Sequence, residues 1–415
     1  MPLVLGGSAV VAAAGATGGC QFNAGTTEFT LSQAAGTSAK KFTVSMWFKL
    51  GAAEISHSGS SVGLWGCGTG TGDGVSLVKR NTNDMGLETW DGSSNPKLVT
   101  SREFVDPAAW MHVVCSIDTT NVTAGDRLKI WINGVEQTVF DTDTTITQDS
   151  DIPGWSGSGD TMYIGNRILD GDAFFDGEIS HVNVIDGTIY NASAFGETDE
   201  TSGIWKIKVE PDVTYGTNGG FYKFESGALT TDSSGESNTL TQAGSPTETK
   251  DNPDNNFCTM NPLDNYYANQ TFTEGNNTIK SDYEAPATST LGMTAGKWYC
   301  EGKCILSTSG TDWQIGIVGD QTEGTGNDIG NHANSWGYRG SDGDYRNNYG
   351  NTSYGNTYTT GDIIGCAVDL DNNKLYFAKD NVWQDSGDPT SGATGTGAIS
   401  IAAAADTPLG AYFVA

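Results

Sequence analysis

Apolar and polar positions alternate in short runs along most of the chain, and apolar residues at helical spacing are nearly absent. The clearest runs are "KFTVSMWFKL" (41–50), "WMHVVCSID" (110–118), "RLKIWINGVEQTVF" (127–140), "TMYIGN" (161–166), "EISHVNVID" (178–186), "KWYCEGKCIL" (297–306), "WQIGIVGD" (313–320), "DIIGCAVDLDNNKLYFAKDNVW" (362–383) and "PLGAYFV" (408–414). Many short strands separated by Gly, Asn and Asp predict an all-β chain of antiparallel β-sandwiches of the jelly-roll type. Two hairpins can be read with a mechanism. Asn133-Gly134 supplies the positive φ angles of a two-residue type I′ turn, and Asp371-Asn372-Asn373 serves the same purpose between two later strands.

The strands fall into two groups, 21–195 and 281–415, as a chain of 415 residues would suggest. Residues 1–20, "MPLVLGGSAVVAAAGATGGC", are small and apolar but lack a basic start and are interrupted by glycine. They read as an extended anchor segment rather than a cleaved leader. Residues 196–280 form the connection. Its Ser/Asn-rich part has a linker's composition, but "FGETDETSGIWKIKVEPDVTYGTNGGFYKFE" (195–225) carries Phe195, Trp205 and Phe221 and is expected to be an ordered, packed joint.

Fifty acidic against twenty-one basic residues give a formal charge of -29, which repels phosphate backbones and excludes nucleic acid as a partner. No apolar run has the length of a membrane span, so no membrane insertion is expected. Seven scattered cysteines, an odd number without a CxxC pair, argue for reduced thiols packed as core residues. Cys300 and Cys304, at i and i+4 along one strand, are too far apart to bridge. His57, His112, His181 and His332 show no metal-ligand spacing, and His112 and His181 lie within strand patterns as core or interface residues.

Binding needs exposed rings beside polar groups, and two stretches have that character. "GLETWDGSSNPK" and "DIPGWSGSGD" set Trp90 and Trp155 among Asp, Ser and Asn. "NSWGYRGSDGDYRNNYGNTSYGNTY" (334–358) interleaves Trp336, Tyr338, Tyr345, Tyr349 and Tyr354 with Arg339 and several Asn, a composition like that of an antibody paratope. The competing reading packs these tyrosines between strands or against sister subunits.

In the first group, "FTVSMWFKL", "AAWMHVVCSIDTT", "RLKIWINGVE", "MYIGN" and "FFDGEISHVNVIDGTIY" follow the order of a laminin-G-like, concanavalin-A-like lectin sandwich, which this region resembles. The second group, with "GKWYCEGKC", "QIGIVGD", "SWGYRGSDGDYRNNYG" and "GDIIGCAVDLDNNKLYFAKDN", resembles a SPRY-type sandwich. SPRY domains usually close with a further strand after the segment matching "PLGAYFVA". The edge is therefore expected to be completed by another chain, or the fold to be trimmed.

The first resemblance implies a calcium ion at a loop rim, with Asp73, Asp170 and Asp172 as the candidate oxygens. It also admits a glycosidase or polysaccharide depolymerase. The E-x-D-x-x-E signature is missing, however, because "ETDETS" has Ser202 in its last position, and no catalytic residues are assigned.

Over nearly its whole length, through "MPLVLGG", "FGETDETSGIWKIK", "YGTNGGFYKFE", "DSSGESNTL" and "DNPDNNFCTMNPLDN", the chain resembles fibre or appendage proteins of marine tailed bacteriophages. That resemblance implies a non-enzymatic virion protein, assembled in the host cytoplasm among other virion proteins. It would be a tail or capsid fibre, a homotrimer, and would bind a host-surface glycan or receptor. The rival from another class is capsid decoration or a baseplate part without a ligand.

Overall fold

The computed structural model describes residues 15–23, 25–55, 61–70, 72–167, 173–264, 270–281, 286–306, 313–320 and 328–415. They divide into two compact units, one running to Asn256 with Thr273–Gly275 and the other comprising Phe257–Phe272 with Asn276–Ala415. Both are built of antiparallel sheets, as the alternation predicts, with a single α-helical turn, Ala52–Ile55, among the described residues.

The first unit stacks two sheets. One runs in space through Val135–Glu136, Leu128–Ile132, Met111–Asp118, Lys41–Leu50, Gly177–Asp186, Gly19–Phe22 and Thr247–Thr249, with Gly220–Tyr222 also paired to Gly177–Asp186. The other runs through Phe140–Asp143, Lys97–Thr100, Met85–Trp90, Asp73–Lys79, Val62–Gly70, Thr161–Ile164, Glu28–Ser32 and Thr241–Ala243. Alternate residues point between the sheets, so Phe42, Val44, Met46 and Phe48 meet Trp65, Leu77, Leu87 and Ile164 in one core. The Asn133-Gly134 turn has positive φ at both residues, as expected.

Two expected boundaries move. Gly19–Phe22, the end of the supposed anchor, is a strand between Gly177–Ile179 and Thr247–Thr249, with Cys20 and Phe22 buried. Residues 1–14 lie outside the described residues. The connection is part of the first unit up to Asn256: its Thr241–Ala243 and Thr247–Thr249 extend one sheet each. Composition alone cannot show this, because an edge strand is held by backbone hydrogen bonds and needs few apolar side chains. The joint itself is ordered as expected. Phe195, Tyr215 and Phe221 are buried with Val114, Trp131 and Ile185 on the outward face of the first sheet, and Trp205 packs beside Trp47, Trp110 and Ile207.

The second unit also has two sheets. Lys297–Lys303, Ile363–Asp369, Lys374–Lys379 and Val382–Trp383 form one, with Ile399–Ser400 on Lys374–Lys379. Gly350–Ser353, Asp344–Asn347, Ser335–Arg339, Gln314–Val318 and Phe413–Val414 form the other. Val414 pairs with Ile317 on one side, while its amide donates to Ser289 Oγ and its carbonyl accepts from Ser289 N on the other, so the chain's own 289–293 segment covers it.

Candidate functional site

Register places a polar row across the outward face of the first unit's second sheet. Thr30 lies opposite Tyr163, Tyr163 opposite Gly66, Gly66 opposite Ser76, Ser76 opposite Glu88 and Glu88 opposite Lys97. Directly paired residues share a face, so these six side-chain positions point the same way. One step along, Thr161, Gly68, Gly74 and Trp90 form a second row. Tyr163 and Glu88 are three strands apart, about 14 Å at the usual strand spacing, and Gly66, Gly68 and Gly74 on the intervening strands are buried.

The hairpin Asn166–Arg167/Ala173–Phe174 crosses part of this face. It runs so close that a Cβ on Gly63 would lie 2.1 Å from the Asn166 carbonyl carbon, and glycine is therefore required at 63. From the hairpin, Arg167 Nη2 reaches Glu88 Oε2 at 2.7 Å, and Arg80 Nε lies 3.8 Å from the other oxygen. Asn166 Nδ2 donates to Glu28 Oε2 at 2.8 Å. Glu88 and Ser76 are buried, and among the described residues the Ser76 hydroxyl has no hydrogen-bond partner. Around them Thr30, Tyr163, Thr161, Trp90 and Lys97 remain half-exposed. Burial, and then Glu28, raise the Tyr163 phenol above its ordinary pKa, so it stays a neutral donor and acceptor. A carboxylate held by two guanidiniums serves as an acceptor, and that arrangement suits orientation of a polar ligand better than acid catalysis.

The residues singled out from sequence divide sharply. Trp90 is on this face, half-exposed. Trp155 is not a surface ring: it is 2% exposed, packs on Phe42 and Trp65, and donates Nε1–H to Ser38 O at 3.0 Å. Trp336, Tyr338 and Tyr354 are likewise core residues of the second unit, with Tyr338 stacked on Phe377. Trp336 and Tyr338 hold period-2 positions in the central strand Ser335–Arg339, and Tyr354 follows the edge strand Gly350–Ser353; all three turn inward, which a loop reading of residues 334–358 overlooked. Tyr345 is half-buried against Tyr354, and Arg339 is half-exposed and ion-paired with Asp342 at 3.0 Å.

Tyr349 alone of the set stands clear, 63% exposed at the tip of the hairpin joining Asp344–Asn347 to Gly350–Ser353. Asn348 and Tyr349 both have positive φ, 49° and 62°, so a bulky ring sits where a type I′ turn favours glycine.

For the calcium expectation, Asp170 and Asp172 lie outside the described residues. Asp73 accepts from Thr69 and acts on Asp160, whose carboxyl is raised by burial and by Asp73. Among the described residues no group of three or more His, Cys, Asp or Glu is placed to hold a metal. His112 and His181 are buried, as expected.

Ser76, Glu88, Tyr163 and Arg167 were not picked out from sequence. Their signal was present in "GVSLVK" and "GLETW", where polar residues alternate with apolar ones, but only pairing shows that the alternate positions line up.

A family model described as the concanavalin A-like lectin/glucanases superfamily matches residues 23–193, and a SPRY domain model matches residues 297–406. The chain carries these two domains in series. A Ran-binding proteins 9/10 homolog of Drosophila melanogaster is 47% identical over 49 residues, which is 12% of this chain and 5% of that protein. Among solved structures, the heptameric SAP-like pentraxin of Limulus polyphemus is 18% identical, over 43% of this chain and 80% of that one, with a TM-score of 0.31. Mouse laminin alpha1 chain domains LG4-5 are 11% identical, over 92% of this chain and 80% of theirs, with a TM-score of 0.33. Superpositions this loose carry no argument about ligand or assembly.

Proposed function

We propose that this chain is a non-catalytic binding protein that takes a glycan on the outward face of its lectin-like sandwich, as part of a phage virion appendage. The observation that carries the binding reading is the row Tyr163–Gly66–Ser76–Glu88, with Trp90 beside it. It sets the half-exposed rings of Tyr163 and Trp90, for stacking on a sugar, beside the half-exposed polar groups of Thr30, Thr161 and Lys97, with Glu88 and Ser76 buried beneath them. The order of segments over the whole chain supports the appendage reading, together with a net charge of -29 that suits a particle surface kept from aggregating. On this reading the partners are sister subunits, with a trimer favoured, other virion proteins and a host-surface glycan.

A glycan array with the full chain, followed by titration of any hit, tests it. Trp90→Ala and Tyr163→Ala are each expected to weaken binding about tenfold or more, as loss of one stacking ring would, with unchanged thermal midpoints. Absence of any bound glycan supports a purely structural role instead, and release of reducing ends from host polysaccharide supports a depolymerase. A density map of the whole particle shows whether the chain is on tail, head or neither.

A further inference from the structure

Among the seven cysteines, one thiol faces another across a sheet. Cys300 in Lys297–Lys303 is the register partner of Cys366 in Ile363–Asp369. Cys20, Cys67 and Cys115 face Ile179, Val75 and Val44 instead. Cys258 accepts a hydrogen bond from Thr290 Oγ1 at 3.6 Å. Cys300 and Cys366 are both buried, and a side-chain hydrogen bond joins them. All seven thiols are free.

Residues directly opposite on an antiparallel pair have Cα atoms about 4.5–5.5 Å apart, within the range of about 4.4–6.8 Å that a disulfide spans. Both cysteines also line a small pocket together with Met293, Trp298, Tyr299, Val368 and Val414.

We propose that Cys300 and Cys366 are an oxidative modification site, converted by hydrogen peroxide into a cross-strand disulfide. One sulfur attacks a peroxide oxygen: an S–O bond forms, the O–O bond breaks, and water leaves, giving a sulfenic acid. The second sulfur then attacks the first, forming S–S, breaking S–O and releasing a second water. Two thiols lose two electrons and two protons, and one peroxide is reduced to two waters. Hydrogen bonding to Cys366 and burial raise the Cys300 thiol well above its ordinary pKa. The reaction is therefore slow at neutral pH. The bond would close a covalent loop over residues 300–366, which contains four strands of the facing sheet, two of them forming the Tyr349 hairpin. This site stands on sheet register alone and is independent of the glycan reading.

The test uses the full chain, purified reduced and treated with hydrogen peroxide at pH 8. Expected are loss of two of the seven free thiols, a mass lower by about 2 Da, and a dithiothreitol-reversible peptide linking Cys300 to Cys366. The second unit's thermal midpoint should rise by about 5–15 °C. Cys300→Ser and Cys366→Ala should each abolish all of these changes. Should either variant fold poorly, the peptide map of the wild-type chain decides alone. Sulfinic or sulfonic acid at either residue, a linkage through another cysteine, or seven thiols persisting after treatment overturns the proposal.

Discussion

Trp205 Nε1–H donates to His112 Nδ1 at 3.0 Å, across 93 residues of chain, and so fastens the joint to the outward face of the first sheet. The imidazole lies between two indoles, with Trp47 at 4.7 Å and Trp205 at 6.0 Å, both nearly parallel, and its Nε2 meets Ser45 Oγ at 2.8 Å. Because Nδ1 accepts, the proton of the neutral ring is on Nε2 and is donated to Ser45. Gly134, in the neighbouring turn, has no side chain to block the Trp205 ring, which a Cβ would meet at 2.5 Å.

Removing the donor while keeping a ring separates the two contributions. Trp205→Phe is expected to cost about 1 kcal/mol, the usual net value of one hydrogen bond. Trp205→Ala should cost about 2–3 kcal/mol for this half-exposed ring and open residues 199–216 to protease. Urea unfolding and limited proteolysis measure both.

The histidines set a pH dependence. Burial lowers His112 to about 3, and burial, then Lys223, lower His181 to about 3. Each refuses in the fold a proton that it accepts when unfolded. Their stabilisation is therefore complete above about pH 6.5 and is lost as pH falls toward 3, at about 1.4 kcal/mol per unit per histidine. Glu54 opposes them: burial raises it to about 8, so its stabilisation is present below its ordinary value and is lost as pH rises through 8. Between pH 5 and 6.5 the net slope is about 1.4 kcal/mol per unit, the difference of two histidines and one glutamate. Glu54→Gln should about double that slope and His112→Gln should flatten it, as read from urea midpoints.

Lys49 and Asp251 form a buried ion pair at 2.8 Å, and Asp251 also accepts from Trp110 Nε1 at 2.6 Å. Lys49 Nζ further donates to Asn256 Oδ1 at 2.9 Å. Asp251→Ala strands a buried ammonium and is expected to cost about 3–5 kcal/mol. Replacing both ends together, Lys49→Met with Asp251→Leu, should cost less than the single change. A double-mutant cycle gives the coupling.

Trp155 and Tyr349, both read from sequence as candidate binding rings, should differ in what they contribute to stability. Trp155→Ala removes a core ring and is expected to cost about 3–5 kcal/mol. Tyr349→Gly relieves a left-handed backbone and should leave stability unchanged or raise it by up to about 1 kcal/mol. Thermal melts of the two variants check this. They also show why any loss of binding in Trp155→Ala must be read against its folded fraction.

The strand runs, the order of the two domains, the type I′ turn at Asn133-Gly134 and the buried histidines were all legible, because each follows from local periodicity or from backbone preference. The ordered joint was legible too, from its aromatic residues. The placement of Trp155, Trp336, Tyr338 and Tyr354 was not, since a Gly/Asn-rich composition surrounds inward-facing rings as readily as outward ones. Asp251 looked like one more acid in a polar run. Its partner Lys49 lies 202 residues earlier.

By itself the sequence determined what alternates, what turns and what repels: an all-β chain, two sandwiches in series, and a strongly acidic surface. Only the tertiary structure decided which residues meet, because strand pairing is a long-range choice that no local pattern encodes. Register alone brings Tyr163, Ser76 and Glu88 into one row, sets Cys300 against Cys366, and turns the polar stretch before Asn256 into two edge strands of the first unit.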